Sequence, residues 1–292
     1  MMEITGKTIL FCVIGDPIAH TLSPLMQNSA IAAMGIDAVY VPFRVTPDDL
    51  ESAIQGLVSL GVRGLNVTVP HKTAIMKYCD SLTEVAQAVG AVNTITIDNG
   101  TLHGDNTDVS GFETGLLRGS GLDSFPAHVC ILGAGGAARG VAYACAMREE
   151  VGEIIVCNRT FHKAESLAEE LSRVTGKRLI PMPAVAETFA RVFPESGLVV
   201  NTTSVGMHPD TDRSPVPDPG LFHPGQVACD IIYNPLETRF LRDAASHGVK
   251  TVSGLAMLAY QGARALSMWT GREAPSDVML EALKSHMVFG DE

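Results

Sequence analysis

Short apolar runs in this chain alternate with amphipathic stretches of helical length, and turn residues separate the two. Residues 8–14 form an apolar strand stopped by Gly15-Asp16-Pro17, and 25–34 read as a helix closed by Gly35. Ser23 ahead of Pro24 has the form of an N-cap followed by proline at the first helical position. Residues 38–45 and 47–60 repeat the strand–helix pair. In 65–69, Leu65, Val67 and Val69 alternate with Asn66 and Thr68, the pattern of a strand with one polar face. Residues 73–89 read as helical, in two pieces broken near Ser81. The stretch 90–97 returns to strand, and Asp98-Asn99-Gly100 turns it into a hairpin with 101–104. A helix at 109–117 follows, with Asp108 near its first turn, where the dipole stabilises a carboxylate.

Beyond this point the alternation is regular. Strands are expected at 129–132, 153–157, 178–182, 198–201, 227–232 and 251–253, and helices at 136–147, 162–175, 184–192 and 236–247. The Pro-, Asp- and Gly-rich segment 207–226 reads as a long loop over the sheet's edge. Residues 255–270 form an amphipathic helix with Gln261 and Arg264 as its internal polar residues, and 276–287 form a last helix. These two helices need an apolar surface to cover, so they are expected to return to the first domain. The expected fold is α/β with two α/β domains. Residues 1–109 and 255–292 form a substrate-binding domain, 110–254 a Rossmann-type nucleotide-binding domain, and a cleft is expected between them.

Composition narrows the function. Of 292 residues, 46% are hydrophobic and 18% charged, which is ample for a packed core, and the formal net charge of −11 offers no basic footprint for nucleic acid. No apolar run is long enough to cross a bilayer, and the first residues lack the basic flank and apolar core of a signal peptide. The six cysteines are scattered, mostly in apolar runs, and none forms a CxxC pair. They read as buried thiols in a reducing, cytoplasmic setting. The nine histidines show no metal-binding spacing, so no metal is expected.

Candidate chemistry starts at Val129-Cys130-Ile131-Leu132-Gly133-Ala134-Gly135-Gly136-Ala137, a strand, a glycine turn and a helix start. Glycines let a backbone come close to phosphates, and the helix start offers free N–H groups to a pyrophosphate. The second strand ends in Asn158-Arg159-Thr160, where an NAD site usually carries a carboxylate for the ribose hydroxyl. Arg159 would instead fork onto a 2′-phosphate, so NADP is expected over NAD, with Lys163 a second cation nearby.

Thr21-Leu22-Ser23-Pro24, Asn66-Val67-Thr68-Val69-Pro70-His71-Lys72, Gly90-Ala91-Val92-Asn93-Thr94 and Gly104-Asp105-Asn106-Thr107-Asp108 stand in this order ahead of the glycine turn. With Asn158-Arg159-Thr160 and Gln261-Gly262, the set resembles the shikimate dehydrogenase family, quinate/shikimate dehydrogenases included, nearly end to end. The resemblance implies reversible NADP-linked interconversion of 3-dehydroshikimate and shikimate, a step of aromatic amino-acid biosynthesis. It implies substrate contacts at Ser23, Asn66, Thr68, Lys72, Asn93, Asp108 and Gln261. It implies cofactor contacts along Gly133, Ala134, Gly135, Gly136 and Ala137, at Asn158, Arg159, Thr160 and Lys163, along Thr202, Thr203, Ser204 and Val205, and at Tyr233 and Gly254.

The residue types agree. A ring carrying a carboxylate and three hydroxyls calls for neutral hydroxyls and amides, which Thr21, Ser23, Asn66, Thr68, Asn93 and Gln261 supply, and a hydroxyl on Ser23 or Thr21 suits the carboxylate. Lys72 and Asp108 remain for proton traffic, with Lys72 as general acid, Asp108 orienting the reacting hydroxyl and His71 the rival acid. Reduction is then favoured at neutral pH, where the lysine starts protonated, and oxidation at higher pH. The family commonly has serine where this chain has Thr21. The added methyl leaves quinate or another ring analogue open as substrate. Two other classes remain: a two-domain NADP enzyme such as a methylene-tetrahydrofolate dehydrogenase, which lacks reason to carry the Asn66, Thr68, Asn93 and Asp108 set, and a non-catalytic NADP sensor, which has no need of Lys72 with Asp108. A small-molecule substrate is the expected partner, with no nucleic acid or membrane, in a monomer or homodimer.

Overall fold

The computed structural model describes residues 4–289 and divides into two compact units. One runs to Thr107 and resumes at Ala259; the other is Asp108–Leu258. The boundaries expected from the sequence lay at 109/110 and 254/255.

The first unit is a mixed six-stranded sheet with helices. Its elements are β1 (Ile9–Gly15), α1 (Ser23–Met34), β2 (Ala38–Arg44), α2 (Leu50–Ser59), β3 (Gly64–Val67), β4 (Ser81–Leu82), α3 (Glu84–Val89), β5 (Thr94–Asp98) and β6 (Thr101–Asp105). The sheet order is β2-β1-β3-β5-β6-β4, with β1 parallel to β2 and β3, and β5 antiparallel to both β3 and β6. The period-two pattern decides which side chain faces where. Leu65 and Val67 join Cys12, Ile14, Ile54, Leu57 and Ile95 in one buried cluster, so Asn66 between them takes the other face. Gly64 leaves room for the indole of Trp269, which an added Cβ would meet at 2.3 Å.

The second half of the first unit's cover comes from the chain's end. Helices α9 (Gly254–Thr270) and α10 (Ser276–Phe289) follow all the strands, and α10 packs on α1. Gly262 of α9 lies against Met26 and Gln27 of α1, and the Gln27 amide donates to the Gly262 carbonyl at 3.0 Å. The C-terminal helices do return to the first sheet.

The second unit holds α4 (Asp108–Ser120), β7 (His128–Leu132), α5 (Gly136–Ala146), β8 (Glu153–Asn158), α6 (Phe161–Thr175), β9 (Leu179–Pro183), α7 (Ala186–Val192), β10 (Leu198–Asn201), β11 (Val227–Asp230), α8 (Arg239–Ser246) and β12 (Lys250–Val252). All six strands are parallel, in the order β9-β8-β7-β10-β11-β12. The order reverses between β7 and β10. A doubly wound sheet opens a ligand crevice at the carboxyl ends of the strands at such a point. One face is stitched by Phe189, Phe193, Phe222 and Phe240, whose successive ring centroids lie 5.6, 5.5 and 5.6 Å apart.

Five expectations need correction. Ser23 does not cap α1: it is already helical, the capping position is Leu22 in a right-handed conformation, and no side chain caps it. Residues 73–89 are not two helices. A 3-10 turn at Ala74–Tyr78 and the two-residue β4, paired to β6, precede α3. Val69 lies beyond β3 and is 65% exposed. Segment 207–226 joins the neighbouring inner strands β10 and β11 and sends Val216 and Phe222 into the core. Arg264 is exposed, so Gln261 alone is the internal polar residue of the pair.

Candidate active site

In the first unit, a connected set of neutral polar side chains is buried. Asn66, on the polar side of β3, donates from Nδ2 to the Asn93 carbonyl at 3.2 Å and to Thr94 Oγ1 at 3.1 Å, and its Oδ1 accepts from the Tyr40 hydroxyl at 2.8 Å. Asn93 Oδ1 accepts from the Thr107 N–H at 2.7 Å and from Thr94 Oγ1 at 3.1 Å, while its Nδ2 donates to Thr107 Oγ1 at 3.1 Å and lies 3.5 Å from Gln261 Oε1. Asn66, Asn93, Thr94, Thr107 and Gln261 are all buried. Buried amides that hydrogen-bond one another hold fixed orientations. Ser23 is also buried. Thr21 Oγ1 accepts the Ser23 N–H at 3.3 Å and shapes the turn into α1.

Three backbone bonds bring the motifs together. The Val67 N–H donates to the Asn93 carbonyl at 2.8 Å, the Val92 N–H to the Lys72 carbonyl at 2.8 Å and the Asn93 N–H to the Asp105 carbonyl at 3.1 Å. The Asn66–Lys72, Gly90–Thr94 and Gly104–Thr107 segments are therefore neighbours in the fold. Thr68 is half-buried just past β3, its N–H bonded to the Ile14 carbonyl at 3.0 Å. Lys72 is half-buried in the loop that follows. His71 is 1% exposed, and its Nε2 lies 2.7 Å from the Val45 carbonyl. That nitrogen carries the proton and donates it to the backbone, so His71 ties the loop to the end of β2 and is a poor rival acid. In the second unit, Asp108 opens α4 and is buried, with its Cβ 3.6 Å from where a Cβ on Gly140 of α5 would sit.

The second unit carries the glycine turn at its switch point. Gly133 has φ +112°, and a Cβ there would lie 2.6 Å from Thr202 Oγ1, so glycine is required twice over. Thr202 closes the turn's other side by donating from Oγ1 to the Leu132 carbonyl at 2.7 Å. Gly135 and Gly136 are different: no protein atom lies within 4 Å of a Cβ added at either. Gly135 is the N-cap of α5 and provides no side-chain cap. The first N–H groups of α5 thus open onto bare backbone, which fits a pyrophosphate. Ala134 and Ala137 flank them, half-buried. At the end of β8, Asn158 Nδ2 donates to the Thr160 carbonyl at 2.8 Å, bending the chain so that Arg159, Thr160 and, one turn into α6, Lys163 are exposed. This arrangement suits a 2′-phosphate. Gly254 has a packing role: its Cβ would fall 2.1 Å from the Ile231 carbonyl oxygen. No cluster of His, Cys, Asp and Glu among the described residues could hold a metal ion.

Asp230, at the end of β11, escaped the sequence reading. It is fully buried. Its carboxylate accepts from Asn201 Nδ2 at 3.1 and 3.2 Å, from the Ile232 N–H at 3.0 Å and from Thr238 Oγ1 at 2.7 Å. Asn201 in turn accepts from the Thr203 N–H at 3.0 Å and from its hydroxyl at 2.7 Å. One carboxylate thus sets the 201–205 turn, which presents Thr203 and Ser204, and the start of α8. Burial pushes the Asp230 carboxyl up to about 6, against the hydrogen bonds that lower it. Burial likewise raises the phenol of Tyr233 in the same segment.

Comparison with known proteins identifies the arrangement. Residues 13–95 match the shikimate dehydrogenase substrate binding domain, 120–193 the shikimate / quinate 5-dehydrogenase model and 254–284 the shikimate 5'-dehydrogenase C-terminal domain. A protein of Moorella thermoacetica named shikimate dehydrogenase (NADP(+)) is 46% identical over 98% of this chain and 96% of its own. A solved shikimate dehydrogenase in complex with NADP+ superposes with a TM-score of 0.90 at 38% identity, covering 98% of each chain. The Listeria monocytogenes shikimate 5-dehydrogenase in complex with shikimate and NAD gives 0.90 at 36% identity, covering 97% of this chain and 99% of its own. With the polar network of the first unit and the glycine turn of the second both in place, the chain belongs to the shikimate dehydrogenase family.

Proposed function

We propose that this chain catalyses the reversible, NADP-linked reduction of 3-dehydroshikimate to shikimate, a step of aromatic amino-acid biosynthesis. The observation that carries the reading is the buried network of neutral amides and hydroxyls around Asn66, Asn93 and Gln261. Such groups both donate to and accept from ring hydroxyls, and a fixed network is already oriented before the ligand arrives.

The bound cofactor supplies the hydride that converts the ketone carbon to the alcohol carbon. The ketone oxygen must then gain a proton. Lys72 donates it as an ammonium, leaving a neutral amine that bulk water reprotonates. Asp108 accepts a hydrogen bond from the hydroxyl being formed and orients it. In the oxidising direction the same amine takes the hydroxyl proton. Ser23 and Thr21 take the carboxylate end of the substrate. Arg159, with Lys163, engages the 2′-phosphate, and Gly135 and Gly136 the pyrophosphate. No helix among the described residues is long and apolar enough to cross a membrane. The six cysteines are free thiols, which supports a reducing cytoplasm as the enzyme's setting.

A second reading, quinate as an equal substrate, rests on the methyl of Thr21. Initial rates with shikimate and quinate, each with NADP+ and NAD+, test both readings. The proposal expects the highest kcat/KM for shikimate with NADP+. Equal or higher efficiency with quinate overturns shikimate as the main substrate.

A further inference from the structure

Tyr40 sits behind the polar network and reads in the sequence as one more apolar residue of β2. It is 1% exposed, and its ring lies against Trp269 with centroids 6.2 Å apart. Its backbone is held on both sides by one residue of α1. Asn28 Nδ2 donates to the Tyr40 carbonyl at 2.9 Å, and Asn28 Oδ1 accepts the Tyr40 N–H at 2.9 Å. The hydroxyl donates to Asn66 Oδ1 at 2.8 Å. Burial raises the phenol well above its ordinary range, so it stays a proton donor at any working pH.

The inventory at Asn66 shows what this donor does. Both Nδ2 protons are used, on the Asn93 carbonyl and Thr94 Oγ1, and Tyr40 takes one acceptor site of Oδ1. What Asn66 has left is a second acceptor site on Oδ1. A single phenol thus fixes Asn66 on β3 from β2, through a backbone that Asn28 of α1 clamps.

We infer that Tyr40 is a positioning residue for substrate recognition, holding the orientation of Asn66 without touching the substrate itself. This rests on the reading that Asn66 contacts the substrate. The role predicts an effect confined to one substrate, since Tyr40 and its partners all belong to the first unit and the glycine turn to the second.

The test is a mutant cycle on the intact enzyme: Tyr40→Phe, Asn66→Ala and the double variant, with KM for shikimate, KM for NADP+ and kcat measured for each. Tyr40→Phe keeps the ring, and the fluorescence of Trp269, the chain's one tryptophan, reports whether its packing survives. Tyr40→Phe should raise KM for shikimate about fivefold, the usual cost of one neutral hydrogen bond, and leave KM for NADP+ unchanged. In the Asn66→Ala background the same change should have a much smaller effect, because the partner is gone. An unchanged KM for shikimate in Tyr40→Phe overturns the proposal. So does an equal rise in both KM values, or strict additivity in the double variant, since each marks a packing defect rather than positioning. If Asn66→Ala itself leaves KM for shikimate unchanged, Asn66 is not a substrate contact, and the underlying reading fails first.

Discussion

On the proposed reading, cofactor choice turns mainly on one side chain at the end of β8. Arg159 stands exposed where an NAD enzyme carries a carboxylate, and nothing in the second unit's core depends on it. Arg159→Ala should therefore cut the preference for NADP+ over NAD+ about 10- to 100-fold, the range expected for losing a charge-assisted contact, with little change in stability. Values of kcat/KM with the two cofactors check this, and unchanged discrimination would contradict it. The exposed placement of Arg159 was legible because it depends only on position after a strand. Asn66 and Asn93 were legible for a similar reason: an amide flanked by apolar strand residues has to face a polar partner. His71 was not, because its carbonyl partner on Val45 is brought to it by the fold. Tyr40 and Asp230 were missed on the same ground. Each sits in an apolar run and reads as core, and each is core, with a polar end whose partners come from other elements.

At the scale of elements, the strand–turn–helix from β7 to α5 could be read because its signal is local: an apolar run, Gly133 at positive φ, and small residues behind it. The two-residue β4 could not, since pairing with β6 is all that makes it a strand. The 207–226 segment looks like a surface loop by composition, yet Phe222 packs edge-on between Phe193 and Phe240. The Asp230 network joins β10, β11 and α8 and gives the second unit a pH dependence. Burial penalises the charged form and raises the Asp230 carboxyl from the ordinary aspartate range to about 6. The sign follows: the contribution to stability is greatest below about pH 4 and is lost as pH rises through about 6. Asp230→Asn cannot titrate. Wild-type stability relative to this variant should therefore fall by about 2 kcal/mol between pH 4.5 and 7, read from urea midpoints at each pH. A difference that stays constant with pH would contradict the assignment.

For the molecule as a whole, each unit carries half of the requirements. The first holds a pre-ordered set of amides and hydroxyls with Lys72 in an adjoining loop; the second holds a bare helix start at a switch point, with Arg159 one strand away and Asp108 at the head of α4. The division into an α/β substrate domain and a doubly wound domain was visible in the alternation of strands and helices. The return of the last two helices followed from an apolar face that needed covering, and α10 on α1 is where it went. The central claim is that Lys72 moves the proton in a shikimate–NADP reaction. The direct measurement is the rate of NADP+ reduction with shikimate by the purified protein, compared with Lys72→Ala. The account predicts robust wild-type turnover, and a kcat some 10²- to 10⁴-fold lower in the variant with KM for NADP+ little changed. Near-normal turnover in Lys72→Ala, or no shikimate-dependent reduction by the wild-type protein, would contradict it.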